Sequence, residues 1–354
     1  MKTVLVTGAR GTVGNYVVGL AEAAGYRVVV SDVEQRGLRA PVRGEVRAAD
    51  LRDPSVFPAL VKGCDFVVHA AAQLSVSADA AELAKTNTDA VVGLYEAAQA
   101  AGAKRFVHIS IAMLYAAPQG RPVVEGDALE PRGPYGLSKH AAEVYLRSHE
   151  GPDALPWTIL RAAPIYGRRG RHFAASMLAL GPLLRLALPI VPKPAGGPLG
   201  TMVHAEDVAR AALFVLERET CAFEVYNVSD GDVMTLGERI GHTIDAYGLR
   251  TFETSTVPAA LWKAVGRTFA ASAPYHGADL AALAGWKYVV ARHGLKPALR
   301  PRLDREAMTL LYRDLIVDSQ KLRALGWKPR FSEFEKGWAE VLKWYQAEGW
   351  VPRY

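Results

Sequence analysis

The feature that most constrains the fold is a glycine-rich turn between a short apolar run and a helix-like segment. The run TVLVTG covers 3–8, and the segment GNYVVGLAEAAG at 14–25 has apolar residues at helical spacing. The turn supplies Gly8, Gly11 and Gly14. Glycine suits tight turns and close backbone approach to a phosphate, and a helix N-terminus offers free N–H groups. The turn predicts a dinucleotide-phosphate site, although a tight turn without a ligand would also explain the glycines.

Strand-like and helix-like runs alternate through the first half of the chain. Further strands are expected at 27–32, 46–50, 65–72, 105–110, 157–163 and 222–229. Further helices are expected at 53–63, at 82–102, from about Tyr135, and at 204–218. Strands separated by helices pair in parallel through right-handed crossovers. The sequence therefore predicts an α/β fold, a doubly wound parallel sheet (Rossmann), with a smaller, mostly C-terminal substrate-binding lobe.

This pattern also predicts a division of the chain into two domains. We assign 1–163 and 201–229 to the dinucleotide-binding Rossmann domain, and 164–200 and 230–354 to the substrate-binding lobe. The length of 354 residues is sufficient for both.

Composition and charge limit the partners that we expect. The net charge is +6, but the basic residues are scattered and form no long run with interleaved aromatics, so nucleic acid is not predicted. Cys64 and Cys221 lie far apart, which fits free thiols in a reducing, cytoplasmic setting and offers no metal-ligand spacing. The start of the chain has the pattern of a strand, where an export signal would need a charged start and a longer apolar segment.

The most apolar stretch, at 173–192, has two interpretations. It contains Arg185 and three prolines, so we predict no membrane-spanning helix there and no integral membrane segment elsewhere. Its large apolar side chains would suit the pocket of a lipid-like substrate. A buried core helix explains the same residues equally well.

Asp32, at the end of the second expected strand, favours NAD as the cofactor. A carboxylate there accepts hydrogen bonds from the ribose hydroxyls of NAD and repels the extra phosphate of NADP. The alternative is an ordinary turn residue at a strand end. Arg36 and Arg39 lie nearby, so some use of NADP stays open.

Tyr135 and Lys139 form a candidate catalytic pair. Residues four apart are neighbours on one helix face, and an ammonium beside a phenol lowers the phenol pKa from about 10 toward the working range. Tyr135 could then exchange a proton with a substrate hydroxyl. In the simpler interpretation, Tyr135 is a half-buried aromatic and Lys139 a solvated surface charge.

Several motifs together resemble the extended short-chain dehydrogenase/reductase family, which includes nucleotide-sugar epimerases and dehydratases and 3β-hydroxysteroid dehydrogenases. These motifs are TGARGTVG, ADLRDP, VVHAAA, KTNTDAVVGLYEAA, PYGLSK, LRAAPIYG, MVHAEDVARA and YNVSDGDVMTLGE. They run through nearly the whole chain.

The resemblance implies a set of NAD-binding residues and a homodimer. The implied cofactor-binding residues are Gly8, Arg10, Gly11, Thr12, Val13, Gly14, Asp32, Asp50, Leu51, Ala70, Ala71, Ala72, Asn87, Ser110, Tyr135, Lys139, Pro164 and Ile165. Within that set, Asp50 would meet the adenine and Lys139 would hold the nicotinamide ribose. The family's usual dimer would pair two helices, at 82–102 and 135–149.

The third catalytic residue departs from the family pattern. The family places a Ser or Thr where a gapless alignment puts Ile111, and isoleucine cannot hydrogen-bond a substrate oxygen. Either Ser110 takes the role through a one-residue shift, or the site lacks a donor, which would cost about 2–4 kcal/mol in the transition state. The alternative for Ser110 is a plain strand-end residue.

The substrate side departs as well. Nucleotide-sugar members carry an asparagine where this chain has Pro164, and an arginine where it has Gly200. Loss of both would remove charge-assisted contacts to a diphosphate. Arg168, Arg169 and Arg171 could compensate, although a solvated cluster explains them too.

Three functions follow from the sequence. The first is an NAD-dependent oxidoreductase that interconverts a secondary alcohol and a ketone on a small hydrophobic, steroid- or lipid-like substrate. The second is a nucleotide-sugar 4-epimerase or dehydratase that uses bound NAD transiently. The third is a redox-sensing binding protein without turnover, which the intact Tyr135 and Lys139 disfavour and Ile111 favours.

Overall fold

A computed structural model describes residues 1–33, 41, 43–74, 79–116, 120–171, 174–270, 272–302 and 307–354. Its strands are β1 Thr3–Thr7, β2 Arg27–Ser31, β3 Gly44–Val46, β4 Phe66–His69, β5 Arg105–Ile111, β6 Trp157–Ala162, β7 Ile165–Tyr166, β8 Val191–Ala195, β9 Leu199–Gly200, β10 Val203–His204, β11 Glu224–Val228, β12 Met234–Thr235 and β13 Thr251–Thr256. Its α-helices are α1 Thr12–Ala23, α2 Phe57–Val61, α3 Ala80–Ala84, α4 Ala90–Ala100, α5 Gly133–Arg147, α6 Ala174–Met177, α7 Leu180–Ala187, α8 Ala205–Leu216, α9 Leu236–Asp245, α10 Ala259–Ala270, α11 Ser272–His293, α12 Gln320–Ala324 and α13 Phe334–Ala347.

One parallel sheet organises the chain. Seven strands pair in the order β3-β2-β1-β4-β5-β6-β11, and every pairing is parallel. Leu5 of β1 lies between Val29 of β2 and Val67 of β4, and all three are fully buried. The strand order reverses direction between β1 and β4, so a crevice opens outside their carboxyl ends. The predicted doubly wound sheet is confirmed.

Helices cover both faces of this sheet, as buried strands require. On one face, Val17 of α1 and Val208 of α8 belong to the same core cluster as Val4 and Val6 of β1. On the other face, α2, α4 and α5 pack over alternate residues of the same strands, including Leu5. The period-2 alternation of strand side chains assigns these residues to the two layers.

Two predicted elements differ in their bounds. The third strand pairs with β2 from Gly44 to Val46 and overlaps the predicted segment 46–50 only at Val46. The helix predicted at 82–102 is interrupted by a π-helical turn at Lys85–Asp89 between α3 and α4. A π-turn inserts a residue into the helix and often marks a functional position, and this one carries Asn87.

A third core cluster brings together the later elements. Trp286 of α11 and Trp338 of α13 are buried there with Leu178 and Ala179. The apolar stretch 173–192 forms α6, α7 and the start of β8, apart from Phe173, which lies outside the described residues. No helix in the described ranges has both the length and the apolarity to cross a bilayer. The division into two domains stays a prediction.

Candidate active site

The glycine turn between β1 and α1 is closed by backbone contacts that exclude side chains. Gly8 has a φ of +66°, and a Cβ there would lie 2.7 Å from the Ala71 Cα. A Cβ on Gly14 would lie 2.2 Å from the Gly8 carbonyl oxygen, and the Gly11 N–H donates to that oxygen at 2.9 Å. The turn therefore brings the N-terminus of α1 close to the chain that leaves β4.

Acidic side chains stand at the ends of β2 and the loop after β3. The Asp32 carboxylate accepts hydrogen bonds from the Arg10 and Val33 N–H groups, each at 3.0 Å. The Asp50 carboxylate pairs with Arg52 at 2.6 Å, and this hydrogen bond lowers the pKa of Asp50. Both carboxylates line the same cleft as the glycine turn.

A single cleft of about 1060 Å³ runs along the carboxyl ends of the strands. The predicted cofactor-binding residues that line it are Gly8, Arg10, Gly11, Thr12, Val13, Asp32, Asp50, Leu51, Ala70, Ala71, Ala72, Tyr135, Pro164 and Ile165. Gly14, Asn87, Ser110 and Lys139 are not among its lining residues. Arg36 and Arg39, which bear on NADP use, lie outside the described residues. The cleft therefore brings together chain segments from both sides of the point where the strand order reverses.

Asn87 lies behind the residues that line the cleft and contacts one of them. It is buried, and its amide accepts from the Gln73 N–H at 2.8 Å and donates to the Gln73 carbonyl at 2.9 Å. The same amide nitrogen donates to the Ser138 hydroxyl at 3.1 Å. Asn87 therefore fixes the cleft-lining Gln73 against α5. The sequence predicted Asn87 but missed Gln73, because only the folded chain shows this pairing.

Tyr135 and Lys139 occupy the first turns of α5. Tyr135 lines the cleft, whereas Lys139 is buried behind it with 1% of its surface exposed. The Lys139 ammonium donates to the Ile109 carbonyl at 2.7 Å and lies 3.1 Å from the His108 Nε2. Burial lowers the pKa of Lys139 to about 8. Burial and the neighbouring Lys139 also lower the pKa of His108 well below its usual value, so a neutral His108 can accept from the ammonium.

Ser110 faces away from the cleft. It is fully buried and donates to the Glu143 carboxylate, which forms an ion pair with Arg161 at 2.6 Å. Ile111 and Met113 line the cleft near Tyr135 instead. This placement does not support the catalytic role predicted for Ser110. The one-residue shift that would turn this hydroxyl to the cleft is not seen, since Ile111 takes the cleft side of β5 and Ser110 the opposite side.

The two positions at which this chain lacks the family's diphosphate-binding residues, Pro164 and Gly200, differ in their surroundings. Pro164 lines the cleft, directly before β7. Gly200 is enclosed by backbone, since a Cβ there would lie 3.1 Å from the Leu315 carbonyl oxygen. The Arg239 guanidinium of α9 donates to the Gly200 carbonyl. A buried arginine from another element therefore lies against the position where the family carries one.

The comparisons with known proteins agree with this geometry. The model of the NAD dependent epimerase/dehydratase family matches residues 4–229. The chain belongs to this family. The resemblance to extended short-chain dehydrogenases/reductases is thereby confirmed.

Individual members of the family give the range of similarity. A 3-diazoavenalumate denitrifying reductase of Streptomyces is 31% identical over 269 residues, which is 73% of this chain and 85% of that protein. A putative UDP-glucose 4-epimerase of Methanocaldococcus jannaschii is 26% identical over 246 residues, which is 66% of this chain and 79% of that protein. The crystal structure of the Thermotoga maritima UDP-glucose 4-epimerase with UDP-glucose superposes with a TM-score of 0.71 at 22% identity, covering 98% and 99% of the two chains.

The family member described here is an NAD-dependent enzyme of the oxidoreductase type, and its cofactor is NAD. The residues present fit that cofactor. The glycine turn leaves the N-terminus of α1 open to a phosphate, and Asp32 lines the same cleft. Within the described ranges, no cluster of three or more His, Cys, Asp or Glu side chains could hold a metal ion.

Proposed function

We propose that this enzyme oxidises a secondary alcohol of a sugar nucleotide, as the first step of an epimerase or dehydratase reaction. The observation that carries the proposal is the position of Tyr135, whose side chain lines the cleft that also contains the glycine turn and Asp32. The curated epimerase relative supports the sugar-nucleotide class.

The predicted steroid- or lipid-like substrate receives no support from the comparisons. The apolar stretch that suggested it contributes only Ala174 and Ala175 to the cleft within its described part. Leu178 is buried in the core, and Leu186 and Ile190 are exposed at the surface. The large side chains of its described part, 174–192, therefore do not line the cleft.

Each residue of the proposed site has a distinct task. NAD, when bound, supplies a hydride acceptor. Tyr135 takes the proton of the substrate hydroxyl and returns it in the reverse direction. Lys139 is held by the Ile109 carbonyl and His108, which leaves one N–H of its ammonium for the ribose or the phenolate. Ile111 and Met113 exclude water beside the phenol.

The decisive variant is Tyr135→Phe. We expect a loss of 100-fold or more in interconversion of UDP-glucose and UDP-galactose, roughly the contribution of general acid–base catalysis, with NAD binding retained. Tyr145→Phe is the matched control, because this tyrosine lies on the same helix and its hydroxyl donates to Glu96. Full activity of Tyr135→Phe would contradict the proposed role of Tyr135. Absence of interconversion in the unchanged protein, with NAD binding retained, would favour the binding protein without turnover.

A reductase is the second candidate. The Streptomyces reductase is 31% identical over most of its length, and Ile111 stands where a hydroxyl donor is expected. An epimerase regenerates NAD within each turnover, whereas a reductase consumes NADH. Net NADH consumption with a diazo compound, with release of N2, and none with UDP-sugars, would favour the reductase.

The homodimer and the cytoplasmic location are proposals too. Leu137 and Val144 of α5 are 55% and 52% exposed, which supports pairing through α4 and α5. Sedimentation of the protein and of Val144→Glu tests the dimer.

A further inference from the structure

The end of the cleft beside α13 carries two tryptophans. Trp344 belongs to α13, Trp350 follows it, and both side chains are half-buried and line the cleft beside Ala174 and Ala175. Their rings are 5.4 Å apart at an interplanar angle of 67°. We call Trp344 and Trp350 the aromatic wall. Trp338 of the same helix differs from these two, because it is a core residue with only 1% of its surface exposed.

Tyr345 joins the aromatic wall to the loop at 167–171. Its ring contacts Trp344 at 5.1 Å and Trp350 at 5.4 Å. Its buried hydroxyl donates to the Gly170 carbonyl at 2.6 Å. These contacts fix the position of the aromatic wall relative to this loop, and such preorganisation lowers the entropic cost of binding a ligand.

The loop places two unpaired arginines on the cleft. Arg169 and Arg171 are exposed and line it, and neither forms an ion pair with any carboxylate in the described part of the chain. Arg168, by contrast, pairs with Glu340, and Glu348 beside the aromatic wall pairs with Lys296. Arg169 has a φ of 65°, a conformation that is uncommon for residues other than glycine and often found at functional sites.

We propose that the aromatic wall together with Arg169 and Arg171 binds the nucleoside diphosphate part of the substrate. A flat base stacks on a tryptophan face, and guanidinium groups bind phosphate oxygens through paired hydrogen bonds. Pro164 and Gly200 do not supply the diphosphate contacts of the family residues at those positions, so a diphosphate needs basic groups from elsewhere in the cleft. It rests on the proposed sugar-nucleotide function and specifies where the nucleotide lies.

The test measures ligand binding by calorimetry with NAD at saturation, so that the cofactor site does not contribute. The probes are UDP, uridine and 4-hydroxycinnamate, an aromatic carboxylate. We expect UDP to bind much more tightly than uridine and 4-hydroxycinnamate. Trp344→Leu and Arg171→Gln should each raise the dissociation constant of UDP about tenfold.

Arg267→Gln is the matched control, since Arg267 is an exposed arginine on α10 away from the cleft. It should bind UDP as the unchanged protein does. Arg171 is exposed and has no ion pair with the described carboxylates, so its substitution leaves folding intact even if Trp344→Leu weakens the core. Wild-type UDP affinity in Arg171→Gln and Trp350→Leu would overturn the subsite, and so would binding of 4-hydroxycinnamate alone.

Failure of this proposal is distinguishable from failure of the proposed function. Tyr135→Phe should bind UDP normally while its turnover is lost. UDP-glucose turnover that persists unchanged in Arg171→Gln and Trp344→Leu would preserve the function and reject the subsite.

Discussion

At the scale of single residues, burial decides which polar side chains act in the cleft and which stabilise the fold. Ser110 and Ile111 are neighbours in sequence, yet one hydroxyl is fully buried against Glu143 and the other side chain lines the cleft. Lys139 is buried too, but its ammonium is satisfied by the Ile109 carbonyl and His108. The ammonium of Lys139 is therefore held inside the protein, and burial lowers its pKa to about 8.

Asp230 provides a residue-scale prediction about pH. Its side chain is 2% exposed, and burial raises its pKa to about 7 despite the nearby Arg239. One carboxylate oxygen accepts from the Asp232 N–H at 3.0 Å. Between pH 4 and 7 the folded state holds a proton that the unfolded state has released, so the free energy of unfolding falls as pH rises.

Asp230→Asn should remove this dependence. From pH 4 to pH 7, the free energy of unfolding of the variant should rise relative to that of the wild type by on the order of 3 kcal/mol. Urea unfolding at several pH values measures it. Parallel stability curves for the two proteins would mean that Asp230 ionises normally.

At the scale of elements, helix propensity and tertiary packing make opposite demands within α9. The helix begins with a capping box formed by Thr235 and Glu238. A Cβ on Gly237 would lie 2.6 Å from the Gly196 carbonyl oxygen, a backbone atom that cannot yield easily. A Cβ on Gly241 would meet only the Lys193 side chain, at 3.8 Å.

The two glycines should therefore respond to alanine in opposite directions. Gly237→Ala is expected to lower the free energy of unfolding by about 1–3 kcal/mol, because β8 must move. Gly241→Ala should raise it by about 0.5–1 kcal/mol, since alanine favours the helix. Chemical denaturation of both variants measures these changes, and stabilisation by both would show that β8 adapts freely.

At the scale of the whole molecule, the cofactor cleft links segments from both halves of the sheet. The glycine turn, Asp32 and the chain after β4 meet there only in the folded state. A ligand that binds only this state stabilises it by about 2.7 kcal/mol at one hundred times its dissociation constant.

NAD should therefore raise the melting temperature of the protein in proportion to the logarithm of its concentration. Gly14→Ala should abolish this shift, because its methyl group would lie 2.2 Å from the Gly8 carbonyl oxygen. Asp32→Asn, which keeps an oxygen acceptor for the Arg10 N–H of the turn, should reduce the shift through loss of the carboxylate. Gly19→Ala is the matched control in α1, with open space around its Cβ. An equal rise in melting temperature for the wild type and all three variants would show that NAD binds elsewhere.

The sequence by itself determined the sheet, the glycine turn and the position of Tyr135 on a helix. These depend on local spacing: the alternation of strands and helices, and the period of apolar residues along each element. The family motifs added Asp50 and the alanines after β4, which line the cleft. The bounds of some helices and strands differ from the predicted ones, because strand pairing and the π-turn at Lys85–Asp89 depend on residues distant in sequence.

Only the tertiary structure decided what each side chain faces. It buried Ser110 and exposed Ile111 to the cleft, and it placed Trp344, Trp350 and Arg169 along the same cleft. No local pattern marks the two tryptophans, since α13 lies more than 150 residues after the loop it anchors. The physical reason is that a cleft is formed by long-range packing, whereas sequence periodicity reports only the faces of one element at a time.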